Sequence, residues 1–211
     1  GGMPAFLLKR IEALKDDYHI IVVEHRNFSD EYVVQKNKIK EIAHEFYTLT
    51  GENPQELQNL IASRRVNLVH IDEMVENLGD EELAEALYCN CRSYRIIETC
   101  HNISFNANTE KKYHPDAYAF CTPYHLTTFN EMKTPLKKVI EFPIEPTVGN
   151  KLHAQSALGL DSNKKHVVNI GLWTRGKNQG EGLSLARKLP DVQFHFVGNQ
   201  APNFEDYWSP L

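Results

Sequence analysis

Short segments of almost unbroken apolar character constrain this chain more than any other feature. "HIIVVE" (His19 to Glu24) places apolar residues on both faces, as a strand does when helices cover both sides of a parallel sheet. "NLVHI" (Asn67 to Ile71), "RIIETC" (Arg95 to Cys100), "AYAFCT" (Ala117 to Thr122) and "KKVIEF" (Lys137 to Phe142) read in the same way. Parallel neighbours need crossover connections, and helical patterns stand between these segments. Met3, Leu7, Ile11 and Leu14 recur at helical spacing after Pro4, until Asp16 and Asp17 end the run. "NPQELQNLIASR" begins with Asn53 as cap and Pro54 behind it, and "DEELAEALYCN" begins with Asp80 and acidic residues in its first turn. "HEFYTLT" near His44 reads as a strand or a helix end, with the strand preferred. The fold class expected is α/β, built on a Rossmann-type parallel sheet.

"FPIEPTVGN" (Phe142 to Asn150) breaks this alternation with two prolines, a glycine and an asparagine. It divides the chain into an expected first domain over 1–142, a linker over 143–150 and a second unit over 151–211. Beyond it the pattern restarts: a helix to about Leu158, the strand "HVVNIGL" (His166 to Leu172), the helix "GEGLSLARKLP" and the strand "VQFHFVG" (Val192 to Gly198). Two strands are too few to cover a hydrophobic face, so the second unit reads as the beginning of a larger domain.

Composition excludes some functions. With 211 residues and 41% hydrophobic content the chain can bury one large core or two small ones. The apolar run Ile20 to Val23 is far too short to span a bilayer, and the expected location is the cytoplasm. A formal net charge of −5 with scattered basic residues argues against a nucleic-acid surface. Cys89, Cys91, Cys100 and Cys121 offer C-x-C spacing without a second pair, so they read as reduced, mostly buried thiols rather than a metal knot. No G-x-G-x-x-G follows a strand, which disfavours a dinucleotide oxidoreductase.

Open α/β sheets bind ligands beyond the carboxyl ends of their strands. His70 lies at one such end within "VHIDEM", followed by Asp72 and Glu73 as a loosely spaced acid/base pair. His101 follows another strand within "ETCHNIS", beside Cys100, while Arg175 and Lys177 follow a third within "NIGLWTRGKNQ". Histidines at strand ends more often serve structure than ligands, and basic loop residues are usually only solvated. Their shared edge is what singles these residues out.

The segment "HVVNIGLWTRGKNQGEGLSLARKLPDVQFHFVGN" (His166 to Asn199), with the strand order and linker before it, resembles the donor-domain entrance of retaining GT-B glycosyltransferases. In that family a strand ending in Gly leads to a loop with Arg and Lys, a helix, and a strand ending in Val-Gly. Gly171, Lys177 and Val197 with Gly198 stand at those places. Leu172 holds the position where the family carries arginine, and Arg175 is its nearest replacement. "ETCHNIS" resembles the acceptor-domain segment whose histidine approaches the donor sugar, which maps to His101. "KKVIEFPIEP" is a looser match to the strand and turn that the family has there.

The resemblance implies a metal-independent transfer of sugar from a nucleotide diphosphate, without a further cofactor, to a glycan or lipid-linked acceptor. Peripheral membrane association is compatible with the latter. His101 would be catalytic, orienting the donor sugar; Gly2, Arg175 and Lys177 would bind the donor phosphates; His70 and Glu73 would lie on the acceptor side. The absence of an Asp-x-Asp sequence agrees with the metal-free scheme. Gly1 and Gly2 read either as a cloning scar before Met3 or as the family's glycine turn after a missing first strand, and the resemblance favours the turn. The family's Glu-x7-Glu element is expected beyond Leu211, which makes the chain a fragment in this reading. Two other functions fit the same residues: a GT-B-fold nucleotide-sugar epimerase, and a non-catalytic module that binds a glycan or protein.

Overall fold

The computed structural model describes residues 2–25, 33–49, 54–101, 110–129, 133–144, 146, 148–200 and 202–211. The chain divides into two compact units, Gly1–Ile144 and Glu145–Leu211. Both are α/β, and every described strand pairing is parallel.

The first unit runs α1 (Gly2–Leu14), β1 (Ile21–His25), α2 (Val33–Ile42), β2 (Glu45–Leu49), α3 (Pro54–Ser63), β3 (Leu68–Ile71), a 3-10 turn (Val75–Leu78), α4 (Glu81–Leu87), β4 (Arg95–Cys100), β5 (Ala117–Phe120), α5 (Pro123–Thr128) and β6 (Leu136–Val139). Its described strands form two sheets rather than one. β1 pairs with β2, and β3, β4, β5 and β6 form a four-stranded sheet in that order, flanked by helices in the Rossmann manner. Among the described residues, the second edges of β1 and β3 carry no strand partner.

Local sequence explains the elements. The i, i+4 pair Leu7 and Ile11 points α1 at Val22 of β1 and Ile39 of α2, and Ile11 is fully buried there. Asp80 caps α4 by accepting a 3.0 Å bond from the Leu83 amide, with Glu81 and Glu82 set against the positive end of the helix. That helix buries Leu83, Ala84 and Leu87 against Ile71, Val75 and Ile96. Removing a side chain such as Ile96 from water contributes roughly 1.5–3 kcal/mol before entropy is counted. β5 is buried at every residue, and Tyr118 and Phe120 pack with Met74, Cys100 and Phe129 below it. Asn53, the expected cap of α3, lies outside the described residues.

Two expectations are corrected. The last strand of the sheet occupies Leu136–Val139 rather than Lys137–Phe142, because its partner β5 supplies only four residues, registered Ala117↔Leu136 through Phe120↔Val139. The thiols are not mostly buried: Cys100 is, Cys89 and Cys121 are half-buried, and Cys91 is exposed. All four are free. The first helix stops at Leu14, before the two aspartates, as its sequence pattern predicts.

The second unit runs α6 (Lys151–Ala157), β7 (Lys165–Ile170), a 3-10 turn (Arg175–Lys177), α7 (Gln179–Lys188), β8 (Val192–Val197), a further 3-10 turn (Pro202–Phe204) and α8 (Glu205–Trp208). β7 and β8 pair over six consecutive positions. Among its described residues only Gln155 and Gln179 are fully buried, so this unit has no fully buried apolar side chain. A two-stranded sheet with one neighbouring helix leaves apolar surface in water, as Ile170 at 77% exposure illustrates.

Candidate functional site

The carboxyl ends of β3, β4 and β5 bring together side chains that the sequence separates widely. His70 is the third residue of β3, Thr99 lies near the end of β4, His101 follows β4 and Cys121 follows β5. Arg10 reaches them from α1. Phe6, one turn before Arg10, sets its ring edge against His101 at 5.6 Å and lies beneath the Arg10 guanidinium. The helix therefore delivers a cation and an aromatic wall together.

Arg10 holds Asp72 through two hydrogen bonds of 2.9 Å, one to each carboxylate oxygen, with both side chains largely shielded from solvent. The same guanidinium lies 3.1 Å from His70 Nε2. A guanidinium can only donate, so Nε2 accepts and the neutral ring carries its proton on Nδ1. The Thr99 hydroxyl stands 2.6 Å from the same nitrogen. Burial and the Arg10 charge push the His70 pKa down to about 4, and the ring is neutral at pH 7. Burial opposes ionisation of Asp72, but the neighbouring His101 ring and Arg10 outweigh it, and its carboxyl stays below the usual carboxylate range.

His101 is differently placed. Its Nδ1 lies 3.3 Å from Cys121 Sγ, and its Nε2 lies 3.9 Å from Asp72 Oδ1, beyond hydrogen-bond reach. That nitrogen is buried and has no hydrogen-bond partner among the described residues. A buried ring nitrogen without a partner is costly in a resting fold and is available to a ligand hydroxyl or phosphate oxygen. Burial and the Asp72 and Glu73 charges raise the Cys121 thiol pKa, so the sulfur stays protonated at neutral pH. Cys100, the thiol adjacent to His101 in sequence, is buried among Met74, Tyr118 and Phe120 and points away from the cluster. Glu73 turns back on the chain, its carboxylate accepting a 3.0 Å bond from the Met74 amide, and does not join Asp72 as an acid/base pair.

In the second unit the strand ends meet through glycines. The Gly171 amide donates a 2.9 Å bond to the Val197 carbonyl. Gly198 has φ +154°, and a Cβ there would stand 1.9 Å from the Gly171 oxygen. The stem of Lys177 lies over Gly171, where an added Cβ would meet its Cγ and Cδ at 3.4 Å. Lys177 has no ion-pair partner among the described residues and is exposed. Arg175 forms an exposed ion pair with Asp206 and lies over the Tyr207 ring. Gln179, fully buried, donates 2.8 Å to the Leu172 carbonyl and pins the basic turn to the strand end. A depression of about 320 Å³ opens beside this turn, with Lys177, Asn178 and Glu181 at its rim and Phe194 and Phe196 on its floor.

Of the residues expected from sequence, His70 and His101 fall in one cluster, Glu73 faces the backbone beside it, and Arg175 and Lys177 share one turn of the other unit. Gly2 is the first residue of α1. Arg10, Thr99 and Cys121 escaped the sequence reading. Only the i, i+4 spacing of Phe6 and Arg10 signalled that a cation shares the aromatic face of the first helix. No helix among the described residues is long and apolar enough to cross a membrane. No protein-family model matches this chain, and no curated protein matches it.

Proposed function

We propose that this chain handles a nucleotide-diphosphate sugar in the manner of a retaining GT-B glycosyltransferase, with His101 as the catalytic residue at the sugar. The single observation that carries the reading is the buried Nε2 of His101, which has no hydrogen-bond partner among the described residues, at the carboxyl end of a parallel strand. Breaking a sugar–phosphate bond leaves negative charge on the nucleoside diphosphate while the sugar gains oxocarbenium character. Within the second unit, Lys177 with Arg175 beside it offers cations to a charge of that kind. The exposed Arg175–Asp206 pair contributes little stability, so a phosphate can displace the carboxylate at small cost. Arg10, held by Asp72, positions the neutral ring of His70, while Phe6 and Cys121 flank the ring of His101. The edges of β1 and β3, which carry no strand partner among the described residues, support the GT-B reading further, because one additional parallel strand would join the two sheets. Glycan and lipid-linked acceptors both fit this chemistry.

Calorimetric titration of the chain with uridine, guanosine and adenosine diphosphate sugars tests the proposal. Binding of one class, weakened about 10-fold or more by Lys177→Ala and by Arg175→Ala, is expected for lost phosphate contacts. Absence of affinity for every nucleotide sugar, with tight binding to a glycan or protein instead, would replace it with the binding-module reading. Release of an epimerised donor without acceptor would replace it with the epimerase reading.

A further inference from the structure

In the second unit, the face of the β7–β8 sheet turned away from α7 carries two histidines set diagonally across the ladder. The register places His166 opposite Gln193 and His195 opposite Val168, so both side chains emerge on one face, at neighbouring rungs. Phe194 and Phe196 point to the other face, where Phe196 meets Gly182 of α7. His166 Nδ1 and His195 Nε2 stand 3.0 Å apart, with ring centroids at 5.2 Å. The second nitrogen of His166, Nε2, lies 2.7 Å from the Asp161 carbonyl oxygen. A carbonyl only accepts, so His166 carries its proton on Nε2 and presents an unprotonated Nδ1 to His195.

A metal-ligating histidine is held in this way, one ring nitrogen bonded to a backbone carbonyl and the other an unprotonated acceptor, which here takes a hydrogen bond from His195 Nε2. With metal–nitrogen bonds of about 2.0–2.1 Å, two nitrogens on one ion are separated by roughly 2.9 Å at a right angle and roughly 3.3 Å at the tetrahedral angle. The observed 3.0 Å lies near the right-angle value. We propose that His166 and His195 form a two-histidine site for a divalent transition cation of square or octahedral preference, Cu²⁺ or Ni²⁺ before Zn²⁺. The imidazole donors and the Irving–Williams order favour the same ions. Binding replaces the His195–His166 hydrogen bond: His195 moves its proton from Nε2 to Nδ1, and both rings turn so that their lone pairs meet at one point beside the N···N line. Among the described residues no three histidine, cysteine or carboxylate side chains converge, so water completes the coordination. The site is independent of the nucleotide-sugar reading, since neither histidine takes part in it.

The test is calorimetric titration of the chain with Ni²⁺, in a Cys89→Ser, Cys91→Ser background that removes the close thiol pair. Saturable binding of one ion is expected, weakened about 10-fold or more by His166→Gln and by His195→Gln, the range in which a lost contact at a metal site is felt. Undiminished binding in either variant, or no saturable binding, overturns the proposal. In the unaltered chain, paramagnetic Ni²⁺ should broaden the ring resonances of His166 and His195 before those of the other histidines. Broadening that begins elsewhere overturns it equally, whether or not the variants fold.

Discussion

Arg10 and Asp72, separated by 62 positions, are joined by two hydrogen bonds of 2.9 Å that use both carboxylate oxygens. This contact fastens the first helix to the end of β3 and places Phe6 against His101. Replacing Asp72 with Asn leaves a shielded guanidinium without its counter-charge, which should cost roughly 2–4 kcal/mol of stability. The double variant Arg10→Met, Asp72→Leu removes both charges and should recover most of that loss. Urea unfolding of the three variants measures the difference, and equal destabilisation of the single and double variants would show that packing, not charge, holds the helix. The lowered Asp72 pKa also has a sign: its contribution is present above the ordinary carboxylate pKa and is lost as pH falls through the lower folded value.

His70 makes stability depend on pH in a higher window. Its folded pKa of about 4 lies below the ordinary histidine value of 6.5, so the unfolded chain binds the extra proton first. Its share of the stability is complete above pH 6.5 and declines as pH falls toward 4, by roughly 3 kcal/mol across that range. Chemical denaturation at pH 7.5 and 4.5 should show a steeper loss in the native chain than in His70→Gln. Parallel slopes would place the acid sensitivity elsewhere, His125 being the next candidate because burial lowers its pKa too.

Gly198→Ala should be the most damaging single-methyl change in the second unit. The new Cβ would fall 1.9 Å from the Gly171 oxygen, and the backbone at φ +154° resists any side chain. A loss of about 3 kcal/mol or more follows, compared with near neutrality for Gly176→Ala, where nothing lies within 4 Å. Hydrogen exchange of the β7 and β8 amides would report it directly. Protection unchanged in Gly198→Ala would mean that the strand ends can separate freely.

Lys111 is an ammonium with no exposed side-chain surface, bonded at 2.7 Å to Glu76 and at 2.6 Å to Glu98, whose other oxygen accepts from Tyr88. Burial raises the Glu98 pKa despite Lys111 beside it. Lys111→Ala takes the shared cation from two carboxylates, leaving Glu76 its bonds from the Lys112 and Tyr113 amides and Glu98 its bond from Tyr88, and should destabilise by about 3 kcal/mol, whereas Lys111→Met combined with Glu98→Gln should do much less. Thermal unfolding of both decides the point, and a mild Lys111→Ala would mean that water reaches the site.

The candidate site was half legible in the chain. His70 and His101 could be placed because apolar strands announce where they end, and ligand chemistry in a parallel sheet gathers at those ends. Glu73 could not be placed, because the direction of a side chain beyond a strand depends on the turn that follows, and here the turn offers it the Met74 amide. Cys100 drew attention as the neighbour of His101 in sequence, yet Cys121 is the thiol beside the ring, since adjacent strand residues face opposite sides while adjacent strands align theirs.

The sequence by itself determined the α/β class, the parallel strands and most of their positions, because apolar period and capping chemistry act within a few residues. Tertiary contacts alone decided that the described strands of the first unit form two sheets, that Arg10 holds Asp72, and that Gly198 must lack a side chain. These depend on contacts between distant positions, where register, close approach and the matching of a buried charge to its partner are set by packing rather than by any local preference.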